Sequence, residues 1–139
     1  RLFNVYGENN VNNVIFLFTK ASLENKEIYI DGEGTQLRDF IHIKDAVEAL
    51  LLIAQNDKIT NKIINIGSGD YIKIKELAEM IKYLTKSSSK IVYRNFDIGL
   101  KDSYCDNSLL RSYGWQPKTS LEEGLKKNIE WLKEYESAI

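Results

Sequence analysis

Apolar and polar positions along this chain follow two different periods, which predict helices and strands in turn. Apolar residues are close-set or recur every three to four positions in five segments: 14–23, 46–55, 73–84, 107–113 and the segment from 121 onward. These segments are predicted helices. Short apolar runs between turn-forming residues predict strands at 1–5, 27–30, 39–43, 63–66 and 90–93. This alternation of strands and helices predicts an α/β fold with some parallel pairing.

Capping residues mark several of the predicted helix ends. Asp45 has the side chain and the position to cap the second helix. Gly114 is expected to stop the short fourth helix. Ser120 and Glu123 have the spacing of a capping box before the last helix. The apolar stripe of that helix is Leu121, Leu125, Ile129 and Leu132.

Composition narrows the class of protein. A chain of 139 residues with 43% hydrophobic content suits one globular domain or a large piece of one. Lys and Arg total 19 against 20 Asp and Glu, so there is no electrostatic case for nucleic acid or an anionic membrane as the main partner. The longest apolar stretches are too short to span a bilayer, and we expect no secretory signal. The single cysteine cannot form an internal disulfide, so we expect a cytoplasmic protein.

Two apparent motifs are expected to be coincidental. No glycine-rich dinucleotide turn follows a predicted strand. Gly67-Ser68-Gly69 does follow one, but two glycines predict an ordinary turn better than a phosphate cradle. Tyr71 and Lys75 match the Tyr-x-x-x-Lys pair of short-chain dehydrogenases. Because Tyr71 falls in the loop before a helix, the two side chains would not share one helix face, and we predict no catalytic residue here.

The remaining reactive side chains favour structural roles, with one exception. His42 lies inside a predicted strand, where a packed, hydrogen-bonded histidine is commoner than a general base. Cys105 has no partner in sequence for a metal or a base, and no spacing indicates a metal site. Arg38 follows a glycine-bearing loop and precedes a strand, where a guanidinium can be aimed rigidly at an anion. From spacing alone, a surface ion pair of Arg38 with Asp39 or Glu33 is at least as well supported.

Four segments together resemble the extended short-chain dehydrogenase family of NAD-dependent nucleotide-sugar epimerases and dehydratases. Their order and spacing match the carboxy-terminal part of such enzymes over essentially the whole chain, residues 1–139. The segments are Arg1-Leu2-Phe3-Asn4-Val5-Tyr6-Gly7, Thr35-Gln36-Leu37-Arg38-Asp39-Phe40-Ile41-His42-Ile43-Lys44-Asp45, Asn65-Ile66-Gly67-Ser68-Gly69, and Gly114-Trp115-Gln116-Pro117 with Ser120-Leu121-Glu122-Glu123-Gly124-Leu125.

The resemblance implies a division of labour between two parts of the enzyme. An amino-terminal Rossmann part would carry the glycine-rich turn, NAD and the catalytic Tyr and Lys. The present chain would supply the last strands of that sheet and bind a nucleoside-diphosphate sugar. Asn4 would contact the sugar or diphosphate, Val14 and Ile15 would approach through their backbone amides, and Arg38 would hold the diphosphate.

Two positions depart from the family pattern. Asp31 stands where a Tyr or Phe often stacks near the base. Phe96 stands where a second diphosphate-binding arginine is often found, so Arg94 or Lys101 would have to substitute for it with a different geometry.

The resemblance implies an isomerase of the UDP-glucose 4-epimerase type. Such an enzyme oxidises sugar C4 with NAD+ and returns the hydride to the other face of the ketone. The alternatives are a 4,6-dehydratase of the dTDP-glucose type and a non-catalytic nucleotide-sugar-binding module. We expect the complete enzyme to be a homodimer, and this segment alone to be inactive.

Overall fold

The structure of the protein, a computed structural model, describes residues 1–96 and 101–137. Strands and helices alternate along these residues, as the sequence pattern predicts. The strands are β1 (Asn4–Tyr6), β2 (Ile28–Asp31), β3 (Leu37–Arg38), β4 (Phe40–His42), β5 (Ile72–Lys73) and β6 (Ile91–Arg94). The helices are α1 (Val14–Leu23), α2 (Ile43–Ala54), α3 (Ile74–Thr85), α4 (Ser108–Ser112) and α5 (Leu121–Ser137).

The strands pair in three short ladders. β1 runs parallel to β4, with Asn4 opposite Phe40. β2 runs parallel to β6, with Asp31 opposite Arg94. β3 and β5 are antiparallel, and a further parallel bridge joins Leu2 to Ile66. The two longer ladders are parallel, which confirms the predicted α/β class with some parallel pairing.

The core has two apolar clusters on opposite sides of β4. Phe40 belongs to the first cluster and its neighbour Ile41 to the second, because successive side chains of a strand point to opposite faces. The first cluster gathers α1, β2, α3 and α5 and includes Ile15, Ile30 and Leu77, all at most 1% exposed. The second lies under α2 and includes Trp115.

Most predicted helix boundaries are confirmed, and the start of the second helix is wrong. α2 begins at Ile43, directly after β4, and its N-cap is His42, whose Nδ1 accepts a hydrogen bond from the Lys44 amide at 3.3 Å. Asp45 is therefore already inside the first turn and is buried. Its carboxylate accepts from the Thr119 amide at 3.0 Å, so it ties α2 to the segment before α5 instead of capping α2.

The predicted strand at 63–66 is reduced to a single bridge. Ile66 donates its amide to the Arg1 carbonyl and accepts from the Phe3 amide, at 2.8 and 2.9 Å. The capping box before α5 is confirmed, because Ser120 and Glu123 exchange hydrogen bonds between 2.8 and 3.3 Å. Within the described residues, no helix combines the length and the apolar character needed to cross a membrane.

Candidate functional site

Four of the five residues predicted to bind a ligand line one cleft of about 300 Å³: Asn4, Val14, Arg38 and Arg94. They come from β1, the start of α1, β3 and the end of β6. These elements are distant in sequence, and the folded chain brings them together at the cleft. Ile15 does not line the cleft, because its side chain lies in the core with no exposed surface.

Backbone pairing on both sides fixes the main chain at Arg38. It pairs with Ile72 of β5 and bridges to Ser103 on the other side. Its Nη1 donates to the carbonyls of Leu37 and Lys101 at 2.8 and 3.0 Å, which fixes the orientation of the guanidinium. A rigid, oriented guanidinium suits an anionic ligand with paired oxygens.

Arg94 lies in the same cleft but shares its charge with Asp31. The Arg94 Nη2 lies 2.6 Å from Asp31 Oδ1, and its Nε donates to the same oxygen at 2.8 Å. The guanidinium carbon also lies 5.2 Å from the centre of the Tyr29 ring. The pair forms because Asp31 and Arg94 are opposite one another in the β2–β6 ladder. Asp31, which stands where the family often has an aromatic residue, therefore orients Arg94.

Helix α1 begins at Val14, which lines the cleft. Asn13 caps this helix by accepting from the Phe16 amide at 2.8 Å. The amides of Val14 and Ile15 precede the first intrahelical hydrogen bond, and no described residue accepts from them. Donors at a helix start favour an anionic or acceptor-rich ligand. Only the backbone of Ile15 could take part, as the resemblance implies.

Gln36 is a cleft residue that the sequence analysis missed. It is 6% exposed, and its Nε2 donates to the Asp31 carbonyl at 3.1 Å. Its Oε1 is buried without a hydrogen-bond partner among the described residues. The available signal was its position two residues before Arg38, which places both side chains on one side of an extended segment.

The Gly67–Gly69 turn binds a carboxylate of the protein itself. The amides of Ser68 and Gly69 donate to the buried Asp39 carboxylate at 2.8 and 2.9 Å. These donors are therefore occupied, which supports the interpretation as a structural turn and not a phosphate cradle. The same contacts show that Asp39, one of the alternative ion-pair partners considered for Arg38, is engaged with backbone donors.

The other reactive side chains lie outside the cleft. Burial lowers the pKa of His42, a residue that is 1% exposed, so the neutral form is favoured. Burial, reinforced by the charge of Asp39, raises the pKa of Cys105 to about 12, which makes a thiolate nucleophile unfavourable. Tyr71 precedes α3 and packs on Tyr104, with ring centres 5.5 Å apart. The described residues contain no cluster of His, Cys, Asp and Glu that could hold a metal ion.

A second, larger cavity of about 480 Å³ shares two lining residues with this cleft. Arg38 and Phe40 line it together with the segments 68–72 and 117–123. Arg38 is therefore the one predicted ligand-binding residue that borders both spaces.

Comparisons with known proteins identify the relatives of this chain. Residues 1–67 match the sequence model of the NAD dependent epimerase/dehydratase family. A UDP-N-acetyl-alpha-D-glucosaminuronate decarboxylase of Bacillus cytotoxicus is 36% identical over 99% of this chain and 46% of its own length. A UDP-glucuronate 4-epimerase of Thermodesulfobacterium geofontis is 37% identical over 96% of this chain and 42% of its own length.

Solved structures match the fold over nearly the whole chain. The UDP-glucose 4-epimerase of Thermotoga maritima, crystallised with UDP-glucose, has a TM-score of 0.89 at 32% identity and covers 97% of this chain. The UDP-glucuronic acid 4-epimerase of Bacillus cereus, in complex with UDP-glucuronic acid and NAD, has a TM-score of 0.91 at 27% identity. This chain covers 45% and 44% of those two chains, respectively.

The fold and these matches define the class as the extended short-chain dehydrogenases. Within that class, the chain belongs to the NAD-dependent epimerase/dehydratase family, as the four sequence segments predict. The chain spans less than half of the length of the relatives that it matches.

Proposed function

We propose that this chain is the substrate-binding part of an NAD-dependent nucleoside-diphosphate-sugar 4-epimerase. The observation that carries the proposal is the single cleft lined by Asn4, Val14, Arg38 and Arg94. Two guanidinium groups, a side-chain amide and the start of a helix together suit a diphosphate with polar groups on either side. The relatives named as UDP-glucose and UDP-glucuronate epimerases support the choice of reaction.

Each cleft residue would have a separate task. Arg38 would hold the diphosphate, because its guanidinium is fixed by two backbone carbonyls. Arg94, oriented by Asp31, would make a weaker second contact, since its charge is already shared. Asn4, whose Nδ2 donates to the Asp39 carbonyl, would present its remaining polar groups to the sugar or diphosphate.

The cofactor would be held chiefly by residues outside this sequence. The printed sequence has no glycine-rich dinucleotide turn, and the amides of Ser68 and Gly69 are taken by Asp39. NAD, when bound in the complete enzyme, would accept a hydride from sugar C4 and return it to the ketone. The residues of this chain would bind and orient the nucleotide sugar for that transfer.

The rest of the enzyme would pack against a surface that this chain leaves open. The main-chain N–H and C=O of Leu2 form no hydrogen bond with a described residue, and the Leu2 side chain is 55% exposed. On α2, Ile43, Val47 and Leu50 form an exposed apolar stripe at helical spacing. The flank of α2 that carries Asp45 faces the segment before α5, so the stripe lies away from that segment.

This surface suits a strand followed by a helix. Leu2 and Ile66 are bridged in parallel, and α2 lies between them in the chain. The stretch from Leu2 to Ile66 is therefore a parallel crossover unit. A preceding crossover unit, right-handed as such units nearly always are, would add its strand beside Leu2 and its helix beside α2. We therefore propose that a Rossmann part completes both the sheet and the α2 face. A homodimer of the complete enzyme remains part of the proposal.

The decisive experiment assays the complete protein that contains this sequence. With NAD, we expect interconversion of a UDP-hexose with its C4 epimer, measured by chromatography of the products. A 4-keto-6-deoxy sugar as the product would establish the 4,6-dehydratase alternative instead. Nucleotide-sugar binding without turnover, in a protein that lacks the glycine turn and the Tyr-x-x-x-Lys pair, would establish the non-catalytic binding module.

A further inference from the structure

The Asp39 carboxylate, next to Arg38 in sequence, is the centre of a buried hydrogen-bond network. It has no exposed surface, and it accepts four hydrogen bonds from the described residues. Oδ1 accepts from the Ser68 amide at 2.8 Å and from the Ser68 hydroxyl at 2.7 Å. Oδ2 accepts from the amides of Gly69 and Cys105 at 2.9 and 3.2 Å. A buried carboxylate is costly unless donors of this kind offset the loss of water.

The four donors belong to two segments that flank Arg38. Ser68 and Gly69 lead into β5, where Ile72 pairs with Arg38. Cys105 ends the segment that contains Ser103, which bridges to Arg38. The carbonyl of Lys101 in that same segment accepts from the Arg38 guanidinium. The Asp39 carboxylate thus fixes both of the segments that flank the strand carrying Arg38.

The close approach of these segments depends on Gly67. A Cβ at this position would overlap Cys105 Cβ and lie 2.9 Å from Cys105 Sγ, closer than real Cβ atoms come, and it would crowd Asp39 Oδ2 at 3.0 Å. Glycine therefore allows the turn to reach the carboxylate. This explains why the turn resembles a phosphate-binding loop in sequence while its amides serve Asp39.

We propose that Asp39 is a positioning residue for Arg38, so that its carboxylate sets the affinity for the nucleotide sugar without touching it. The inference rests on the proposed function, because Arg38 must hold the diphosphate for its position to matter. Asp39 lines neither the smaller cleft nor the larger cavity, and it acts through the two flanking segments.

The test is a double-mutant cycle in the complete protein, with UDP-glucose and NAD affinities measured by calorimetry. Asp39→Asn places an NH2 group opposite the Gly69 and Cys105 donors, or the Ser68 donors, and breaks the network. We expect it to weaken UDP-glucose binding about tenfold, the loss of one charge-assisted contact. The double variant with Arg38→Ala should bind no more weakly than Arg38→Ala alone, because the two residues act as one unit. NAD affinity should stay unchanged.

Asp45→Asn is the matched control. Asp45 is also a buried carboxylate that accepts from a backbone amide, but its partner is Thr119 and not a segment that flanks Arg38. It should lower thermal stability and leave UDP-glucose affinity within about twofold, since neither Asp45 nor Thr119 lines the smaller cleft and sites without shared partners act independently.

The outcomes separate the two proposals. Independent, multiplying effects of Asp39→Asn and Arg38→Ala would overturn the positioning role and leave the proposed function intact. Absence of UDP-glucose binding in folded wild type would refute the proposed function and this inference together. If Asp39→Asn does not fold, Ser68→Ala removes only one of the four donors. Its weakening of UDP-glucose binding should then disappear in the Arg38→Ala background, and an equal effect in both backgrounds would overturn the inference.

Discussion

Arg38 gives the sharpest prediction at the scale of single residues. In the complete protein, Arg38→Ala should weaken nucleotide-sugar binding about ten- to a hundredfold, because a charge-assisted hydrogen bond contributes roughly 1.5–3 kcal/mol. Arg38→Lys should recover only part of the loss, since an ammonium cannot make a forked contact with phosphate oxygens. Calorimetric titration with UDP-glucose measures both effects, and a separate NAD titration should show no change.

An exposed cation elsewhere provides the control for Arg38. Lys126 forms a surface ion pair with Glu122 on α5, with 2.6 Å between the charged atoms. Lys126→Ala removes one positive charge from the protein without touching the cleft. UDP-glucose affinity should stay at the wild-type value. A folded Arg38→Ala variant with equally unchanged affinity would return Arg38 to a structural role.

We expect His42 to make the stability of the protein depend on pH. Its Nδ1 accepts the Lys44 amide and caps α2, which requires that nitrogen to be unprotonated. Burial lowers the pKa of His42 in the folded state below its ordinary value of about 6.5. The unfolded chain therefore binds the proton more readily, and this residue's contribution to stability is lost as pH falls from about 6.5 through the lower folded pKa.

Thermal unfolding between pH 8 and pH 5 measures this contribution. We expect the melting temperature of the complete protein to fall below about pH 6.5. His42→Asn keeps a side-chain acceptor for the Lys44 amide but does not titrate in this range, so its profile should be flatter. Identical profiles for the two proteins would show that His42 does not contribute to the loss of stability at low pH.

At the residue scale, the sequence pointed to candidate site residues with a conspicuous charge. It did not point to residues whose role depends on their partners in the folded structure. Arg38 could be found because a guanidinium after a glycine loop is conspicuous, and Asn4 and Val14 followed from the resemblance. Gln36 could be found only through its position two residues before Arg38, because its spacing does not show that Oε1 would be buried without a partner among the described residues. The pairing of Asp31 with Arg94 depends on a ladder between segments 63 residues apart.

Among the secondary-structure elements, local sequence signals predicted the presence of helices better than the residues at which one element joins the next. The predicted bounds of α1 are confirmed because its apolar run begins and ends with polar residues. The start of α2 was misplaced because Asp45 is an excellent cap by residue type, and the alternative cap, His42, works through a ring nitrogen. Only tertiary contacts decide between the two candidate caps, because the Asp45 carboxylate accepts a hydrogen bond from the Thr119 amide and is therefore not available as a cap.

The packing of α5 against β1 gives a prediction at the scale of elements. A Cβ on Gly124 would overlap the hydroxyl of Tyr6 and lie 2.7 Å from its Cζ. Tyr6 is 1% exposed and cannot move aside easily. Gly124→Ala should therefore lower the free energy of unfolding by roughly 1–3 kcal/mol, typical of overpacking, although alanine favours helices.

A Tyr6→Phe background tests the cause of that loss. Removing the hydroxyl takes away the atom closest to the new methyl group, at the expense of a weak 3.5 Å hydrogen bond to the Leu121 carbonyl. Gly124→Ala should then be less destabilising in Tyr6→Phe than in wild type. Urea unfolding of the four proteins gives the comparison, and equal losses in both backgrounds would show that the overlap is relieved in another way.

For the molecule as a whole, the sequence predicted the class of fold but not the arrangement of its core. Alternating periods are sufficient to indicate an α/β protein, because they depend only on local geometry. The division of apolar residues into two clusters on either side of β4 depends on which strands pair, and those pairings join residues far apart in sequence. The resemblance supplied this long-range information where the periods could not.

The last prediction concerns the chain of 139 residues expressed by itself. It should show no epimerase, dehydratase or NAD-reducing activity. The only Tyr-x-x-x-Lys match places Tyr71 before α3 begins, 59% exposed and packed on Tyr104. Hydride transfer also needs a dinucleotide site, and no glycine-rich turn for one is present in the sequence.

Product chromatography and NADH fluorescence, with the complete protein as the positive control, test this prediction. Adding the remaining portion of the enzyme in trans should restore some turnover, because the free edge at Leu2 and the exposed α2 stripe provide a surface for it. Leu50→Lys in the stripe should reduce that restoration, since a charge would be buried on association. Lys126→Ala, on the opposite end of the chain, should not. Turnover by the isolated chain would mean that its own residues complete an active site.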